Sequence, residues 1–380
     1  MGFRMRPPRW LMILGVVGLN ACAFRTTAAE VRLPTPTMPP PLIVTDSPSR
    51  PQPASSPAPS PTPTPSVWAN ELPPDVNPLT GLRVPDPAVL SRRPLAIKIS
   101  NYPPVVRPQS GVDLADLVFE HYAEGGVTRF TAVFLSQDAE PVGSVRSARL
   151  IDLEIPAMFQ AILAYSGASA GVNARIRNSD FFERALSPDF GVGAPIFWRI
   201  PREGVALEHT LFTSTRRLWE EATRRGINTR PNLRGMMFSE QPPPGGRPVS
   251  TLIIPYRVEP VTWRYDSGSG RWLRWTAGQP HMDALTGRQL SAANVVVVYA
   301  HHQTTDILED RLGNYSIEIQ IWGSGPVQIF RDGRMFEGQW QRFRREDMLR
   351  FVDAQGQPIP LKPGNTWFQM VPLDMRIQTP

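Results

Sequence analysis

The chain is nearly devoid of cysteine and of lysine. Cys22 is its one cysteine in 380 residues. Disulfide scaffolds, thiolate metal sites and redox pairs are therefore excluded. Lys98 and Lys362 are its only lysines, so arginine supplies the other 38 of its 40 basic residues. Such an excess follows from codon bias or from recognition of phosphate and carboxylate by planar guanidinium forks. There is no Walker-type phosphate loop, no His-Glu-x-x-His helix and no Cys/His metal spacing. No cofactor and no metal is expected. The net charge of +6 is small for this length, which argues against a nucleic-acid partner. Nor is there a long apolar run. The longest near the start, 10–19, is too short for the ~20 residues of a membrane-spanning helix.

What that run does have is the layout of a secretory signal. Arg4, Arg6 and Arg9 form a basic n-region, 10–19 the apolar core, and Leu19-Asn20-Ala21-Cys22 a small-residue exit. Residues 1–21 read as a lipoprotein signal peptide and Cys22 as the lipid attachment site. Removal of 1–21 takes three arginines and no acid, leaving +3. The rest of the chain is then expected on the extracytoplasmic face of the cell membrane, held by its lipid. Residues 22–76 read as a disordered tether. Between Pro34 and Pro65 proline recurs every second or third residue, favouring extended polyproline II over a packed core.

The folded part is expected to be α+β: an N-terminal α/β domain over 77–238 and a mostly β C-terminal domain over 249–380. In the first, 95–99, 116–122, 128–135 and 161–165 read as strands. Residues 146–159 read as a helix interrupted by Pro156, and 215–225 as a helix capped by Ser214 and ended by Gly226. The Pro/Gly-rich stretch 239–248 reads as the break. In the second, 261–265 and 271–275 read as a hairpin, 294–299 as a buried strand, and Asp332-Gly333 as a hairpin turn.

Four constellations could carry chemistry. Gly167-Ala168-Ser169-Ala170-Gly171 follows an apolar strand and fits the nucleophile-elbow pattern, although the sheet is too small for that hydrolase scaffold. Asp113, Asp116, Glu120, His121 and Glu124 crowd one segment. On a strand Glu120 and Tyr122 share a face with Asp116 while His121 points away. His281, Asp283, His301 and His302 mark the β domain, but the adjacent pair faces opposite ways and cannot chelate one ion. Most weight falls on 143–149, a glycine-led loop with Arg146 and Arg149 three apart and Ser144 and Ser147 beside them. At a helix start this is the composition of an anion site. Internal ion pairing with Asp152 or the acidic segment is the alternative. Trp263, Trp272, Trp275, Trp322, Trp340 and Trp367 are expected in the core, with one or two free to stack on sugars.

Several of these segments form a recognisable set. They are 77–82 (Asn-Pro-Leu-Thr-Gly-Leu), 92–101, 107–111, Ala115-Asp116, 124–130 and 145–149 (Val-Arg-Ser-Ala-Arg). In the second half they are His281-x-Asp283, 294–297 and 363–367 (Pro-Gly-Asn-Thr-Trp). With these the chain resembles the YerB-like lipoproteins, a bacterial family built from two domains of unknown function. The resemblance covers about 77–375. It departs at Ser144, where proline is usual, at Thr210, where asparagine is frequent, and at 167–171, where a Ser-Gly-Gly-Ser pattern is usual. It implies a lipid-anchored envelope protein and no established reaction.

The reading that results is a membrane-anchored envelope protein that binds an anionic wall polymer or an envelope partner. Arg129, Ser144, Arg146, Ser147 and Arg149 are its candidate ligand-binding residues. The rival is an enzyme acting on wall material, with Glu120, Glu124, Asp152 and His209 as acid–base groups. Whichever of these act must come within hydrogen-bond reach of a reacting atom.

Overall fold

The computed structural model describes residues 66–380. Cys22, the signal segment and most of the expected tether lie outside them. The chain joins the fold earlier than the tether boundary at 76 implies. Val67–Trp68 already pairs with Met237–Phe238.

The architecture is α+β, with few helices and many strands. The N-terminal half carries β1 (Leu95–Ser100), β2 (Leu117–Tyr122), β3 (Thr128–Phe134), β4 (Ile162–Ala164) and β5 (Ala185–Leu186). Its two longer helices are α1 (Ala170–Arg177) and α2 (Thr215–Arg224). The mostly β second half begins with β6 (Thr251–Ile254), β7 (Val261–Asp266) and β8 (Arg271–Thr276). It continues with β9 (Asn294–Leu308), β10 (Tyr315–Gln320), β11 (Gly323–Arg331), β12 (Arg334–Arg342) and β13 (Thr366–Pro372).

One sheet runs through both halves, in the order β12-β11-β9-β13-β2-β3-β1-β4-β5. The joint is β13. It pairs in parallel with β9 on one side and with β2 on the other, Thr366 facing Leu117 and Gln369 facing Glu120. Its first six residues, Thr-Trp-Phe-Gln-Met-Val, are all buried. That is the composition of a strand covered on both faces. The break at 239–248 is thus no break in the sheet, and Arg247–Pro248 even pairs with the edge of β12.

The strands sort their side chains by alternation. Ala96, Phe119, Val133 and Phe368 face one core with α1. Ile97, Val118, Phe130 and Trp367 face the other, with α2 and the smaller sheet of β6–β8. Ser214 caps α2 by accepting from the Arg217 N–H, and Gly226 follows its end with φ +71°. Burial of Leu218 and Trp219 on α2 contributes about 2 kcal/mol each.

Two elements depart from the sequence reading. Residues 146–159 form no continuous helix. The chain stays extended past Ala148, then makes a 3-10 turn at Leu150–Leu153 and one helical turn at Ile155–Met158. Backbone pairing outbids local propensity here: the Arg146 N–H donates to the Lys98 carbonyl and the Val145 N–H to that of Leu211. The valine strand does not end at Tyr299 but continues to Leu308. Its first half is buried between β11 and β13, while the second leaves the main sheet and pairs only with β10.

Candidate functional site: an arginine cluster over a buried lysine network

Lys98 lies in the middle of β1, within Leu-Ala-Ile-Lys-Ile-Ser, and is fully buried. Its three N–H groups have three acceptors. They are Asp152 Oδ2 at 2.7 Å, His121 Nε2 at 2.6 Å and Thr131 Oγ1 at 3.1 Å. The Nδ1–H of His121 is directed at the Tyr122 carbonyl, 2.9 Å away, which leaves Nε2 to accept. The Thr131 hydroxyl donates to Asp152 Oδ1 at 2.8 Å, and Asp152 Oδ2 also accepts from the Arg149 N–H at 2.7 Å. Burial lowers the Lys98 pKa from its ordinary value to about 8, against the opposing pull of Asp152. The Asp152 carboxyl is buried too, yet its pKa ends below the usual range because the Lys98 ammonium holds it ionised, helped by the Arg149 N–H. A compact ammonium suits this cage, and a planar guanidinium would not.

This network fixes the start of the 150–153 turn and, with it, Arg149. The Arg149 guanidinium donates to Glu124 Oε2 at 2.5 Å and to the Ala148 carbonyl at 2.8 Å. It also lies 3.6 Å from Glu309, whose side chain is only 2% exposed. Glu309 follows the far end of β9, so the second half of the chain reaches over this site. Arg129, on β3, donates to the Ser147 carbonyl at 2.8 Å. Its other N–H groups make no hydrogen bond among the described residues. Arg146 donates to the Glu208 carbonyl at 3.0 Å, while its buried Nε has no partner. Burial holds the Arg129 pKa well below its ordinary value, and the charges of Arg149 and Arg146 lower it further. The three arginines share the carboxylates of Glu124 and Glu309, and Asp310 also lies close enough to Arg149 to be influenced by it.

The expected site residues thus divide. Arg129, Arg146, Arg149 and Ser147 come together, although no helix aligns them. Ser147 contributes its carbonyl. Its hydroxyl would lie 3.1 Å from a Cβ at position 167, where φ is +82°, so glycine is needed there. Ser144 is buried with its hydroxyl unpaired. The four acid–base candidates do not all meet. Glu124 and Asp152 are engaged as described. His209 is buried near Arg146, Arg129 and Arg202 with Nδ1 unpartnered, its pKa lowered by burial and by those charges. Glu120 lies on the opposite face of the sheet, because β2 alternates.

There Glu120 accepts both its contacts to Arg274 Nη2, at 3.0 and 3.1 Å, and one from Thr128 at 2.8 Å. Arg274 is fully buried, with its guanidinium 5.0–5.6 Å from the rings of Trp367, Phe130 and Trp263. This pair is structural.

The other constellations are structural as well. Ser169 caps α1, accepting from the Val172 N–H and donating to Glu309 at 3.1 Å. It touches no histidine, and the elbow reading falls. Asp283 accepts from the backbone N–H groups of Gly111, Asp113, Leu285 and Thr286. His281 is paired with Gln109 at 2.6 Å. Trp263, Trp272, Trp340 and Trp367 are buried, whereas Trp322 is 46% exposed.

The sequence reading missed Lys98, Arg202, Glu309 and Arg274. A charge inside an apolar strand was a usable signal for Lys98. None existed for Glu309, 160 residues from Arg149.

Residues 79–228 match the N-terminal domain of the family described as protein of unknown function (DUF3048), and 252–368 match its C-terminal domain. The chain belongs to the DUF3048 family. It is 30% identical over 302 residues to a protein of Bacillus subtilis (strain 168) named "Putative lipoprotein YerB", covering 78% of this chain and 86% of that one. It is also similar to the crystal structure of YerB protein from Bacillus subtilis, with 28% identity and a TM-score of 0.66. That match covers 80% of this chain and 99% of the other. The YerB-like resemblance drawn from the motifs is thereby shown. In DUF3048 terms, the three arginines belong to the N-terminal region and Glu309 to the C-terminal one. The C-terminal match ends within β13, the strand that joins the two.

Two buried histidines make folding pH-dependent. Burial lowers the pKa of His121 and of His281 well below the ordinary 6.5. A group whose folded pKa is depressed in this way refuses protons that the unfolded chain accepts. Its contribution is fully present above pH 6.5 and is lost as pH falls below it. From pH 7.5 to 5.5 the two should together cost about 3 kcal/mol of unfolding free energy. Denaturant titrations at both values check this, and His281→Gln should remove about half of the difference. Equal stability at the two pH values would contradict the assignment.

Proposed function

We propose that the chain is a lipid-anchored protein of the cell envelope, attached through Cys22, whose arginine cluster binds an anionic ligand. The name of the Bacillus subtilis relative supports the anchor, as do the lipobox-like segment and the proline-rich stretch before the fold. The folded part then stands on the extracytoplasmic face, within reach of wall polymer or an envelope partner.

One observation carries the binding reading: Arg129 and Arg146 converge on the already paired Arg149 while keeping N–H groups without protein partners. Charge-assisted hydrogen bonds from such groups are each about twice as strong as neutral ones. Of the acid–base candidates, Glu120 is taken up by Arg274 on the other face of the sheet, Glu124 by Arg149 and Asp152 by Lys98, which favours binding over an acid–base role.

The test is co-sedimentation with isolated wall material. Arg129→Gln combined with Arg146→Gln should weaken binding by at least about a hundredfold, since each lost charged hydrogen bond costs about 1.5–3 kcal/mol. Raising the salt from about 0.05 to 0.5 M should weaken the unaltered protein too. A folded double variant that binds as before removes the proposal.

A further inference from the structure

We infer that a second cleft, at the junction of the two halves, takes the C-terminal carboxylate of a short apolar peptide. The cleft shares no residue with the arginine cluster, and the inference goes beyond the binding reading above without depending on it.

The cleft encloses about 640 Å³, within the range of small-ligand sites. Three of the segments that carry the family resemblance meet in it: Thr80 and Leu82 from 77–82, Ala115-Asp116, and Gly364 and Asn365 from 363–367. None of them serves the arginine cluster. Their backbones are tied together. The Gly364 N–H donates to the Thr80 carbonyl at 2.8 Å, and the Thr366 N–H to the Asp116 carbonyl at 3.2 Å. The cleft thus sits where β2 and β13 begin, the parallel pair that joins the halves.

The first argument is the direction of its donors. Arg271 opens β8. Its Nε donates to the Ser291 hydroxyl at 2.9 Å, and its Nη2 to the Ser291 carbonyl at 3.2 Å and to Asn365 Oδ1 at 2.6 Å. Its Nη1 makes no hydrogen bond among the described residues. Arg288 commits Nε and Nη2 to Asp113 Oδ2, at 2.8 and 2.7 Å, and its Nη1 is likewise without a partner among them. Both arginines line the cleft. Each therefore brings one unpaired terminal nitrogen to it, and a carboxylate has two oxygens to receive them.

The second argument is charge. Asp113 and Arg288 are the charged groups that act on Arg271. Two guanidiniums share one carboxylate, which leaves one positive charge at this end. Arg83, also in the lining, is paired with Asp75. Asp116 does not act on Arg271. Its oxygens are already occupied by the Asn77 amide, the Ser136 hydroxyl and the N–H groups of Leu135 and Ser136.

The third argument is the wall. Leu82, Val84, Pro85, Leu114 and Ala115 form its apolar part, and no aromatic ring lines the cleft among the described residues. A sugar acid would find no ring to stack on. Small aliphatic side chains would bury apolar area here, above all against Leu82, which is 47% exposed.

The experiment is calorimetric titration of the mature chain with four probes: N-acetyl-trialanine, its C-terminal amide, a galacturonic acid trimer and acetate. N-acetyl-trialanine should bind at least about tenfold more tightly than each of the others. Arg271→Gln and Arg288→Gln should each weaken it about tenfold. Arg288 has a side chain 65% exposed, so its variant keeps the test open where Arg271→Gln fails to fold. Asp113→Asn should tighten binding severalfold, because it removes the carboxylate that competes with the ligand. A merely structural role for Asp113 would not move affinity in that direction. Arg129→Gln with Arg146→Gln should leave peptide binding unchanged, which separates this cleft from the wall-binding reading. Equal binding of the amide overturns the carboxylate contact. Equal binding of the galacturonic acid trimer or of acetate overturns the peptide. Binding of no probe, or unchanged affinity in Arg288→Gln, overturns the site and leaves the arginine-cluster reading standing.

Discussion

Asp152→Ala is expected to cost about 3–5 kcal/mol of unfolding free energy, the usual penalty for removing one partner of a buried ion pair. The substitution leaves the Lys98 ammonium with His121 and Thr131 but no counter-charge. It also strips the Arg149 N–H and the Thr131 hydroxyl of their acceptor. The sign of its pH dependence follows. The Lys98 pKa is already lowered to about 8 in the folded protein, and without Asp152 it falls further. The penalty for the buried charge is then present at pH 7 and smaller above pH 8, where the lysine in either protein sheds its proton. Denaturant titrations at pH 7 and pH 9 should therefore show the larger loss at pH 7. Lys98→Met combined with Asp152→Leu should recover part of the stability, because it removes the charge together with its partner. A loss of less than about 1 kcal/mol at pH 7, the level of an exposed pair, would show that the network is not anhydrous. Arg149 should also loosen, so ligand binding should weaken even in the fraction that remains folded.

Glu120→Ala is the second large effect, again about 3–5 kcal/mol. Arg274 comes from β8 and Glu120 from β2, so this pair ties the smaller sheet to the main one. Without the carboxylate, Arg274 keeps only the faces of Phe130, Trp263 and Trp367, a contribution of about 2 kcal/mol at most. Arg274→Met with Glu120→Leu should be markedly more stable than Glu120→Ala, because the aromatic surroundings accept an apolar side chain. The change should leave binding to isolated wall material within about twofold in the folded fraction, since Glu120 points away from the arginines. Wall-polymer affinity lost in step with Glu120 would place it in the site after all.

The two stability predictions share a cause that shaped what could be read in advance. Strands were legible because β1, β2, β3 and the β7–β8 hairpin alternate or run apolar between clear turn residues. Asp332-Gly333 supplied a turn with both φ values positive, at +51° and +68°. The α2 boundaries were legible because Ser214 and Gly226 are local signals. Residues 146–159 were not, because backbone groups at their start bond to Lys98, Ser166 and Gly167, and those partners are remote. Arginine spacing singled out Arg146 and Arg149, which do lie close together, but for an inapplicable reason. Arg146 and Arg149 approach each other from an extended segment and a turn, and not along a helix face.

The sequence by itself determined the α+β class, the split of β2 into a His121 face and a Glu120 face, and the arginines of the cluster. Each depends on periodicity or composition within a few residues. Only tertiary structure decided that β13 would enter between β2 and β9, joining both halves in one sheet. Only tertiary structure brought Glu309 to Arg149, buried Lys98 against Asp152, and separated Glu120 from the other acids. Strand order is set by which buried surfaces fit, and that preference is spread over both cores, so no local pattern encodes it.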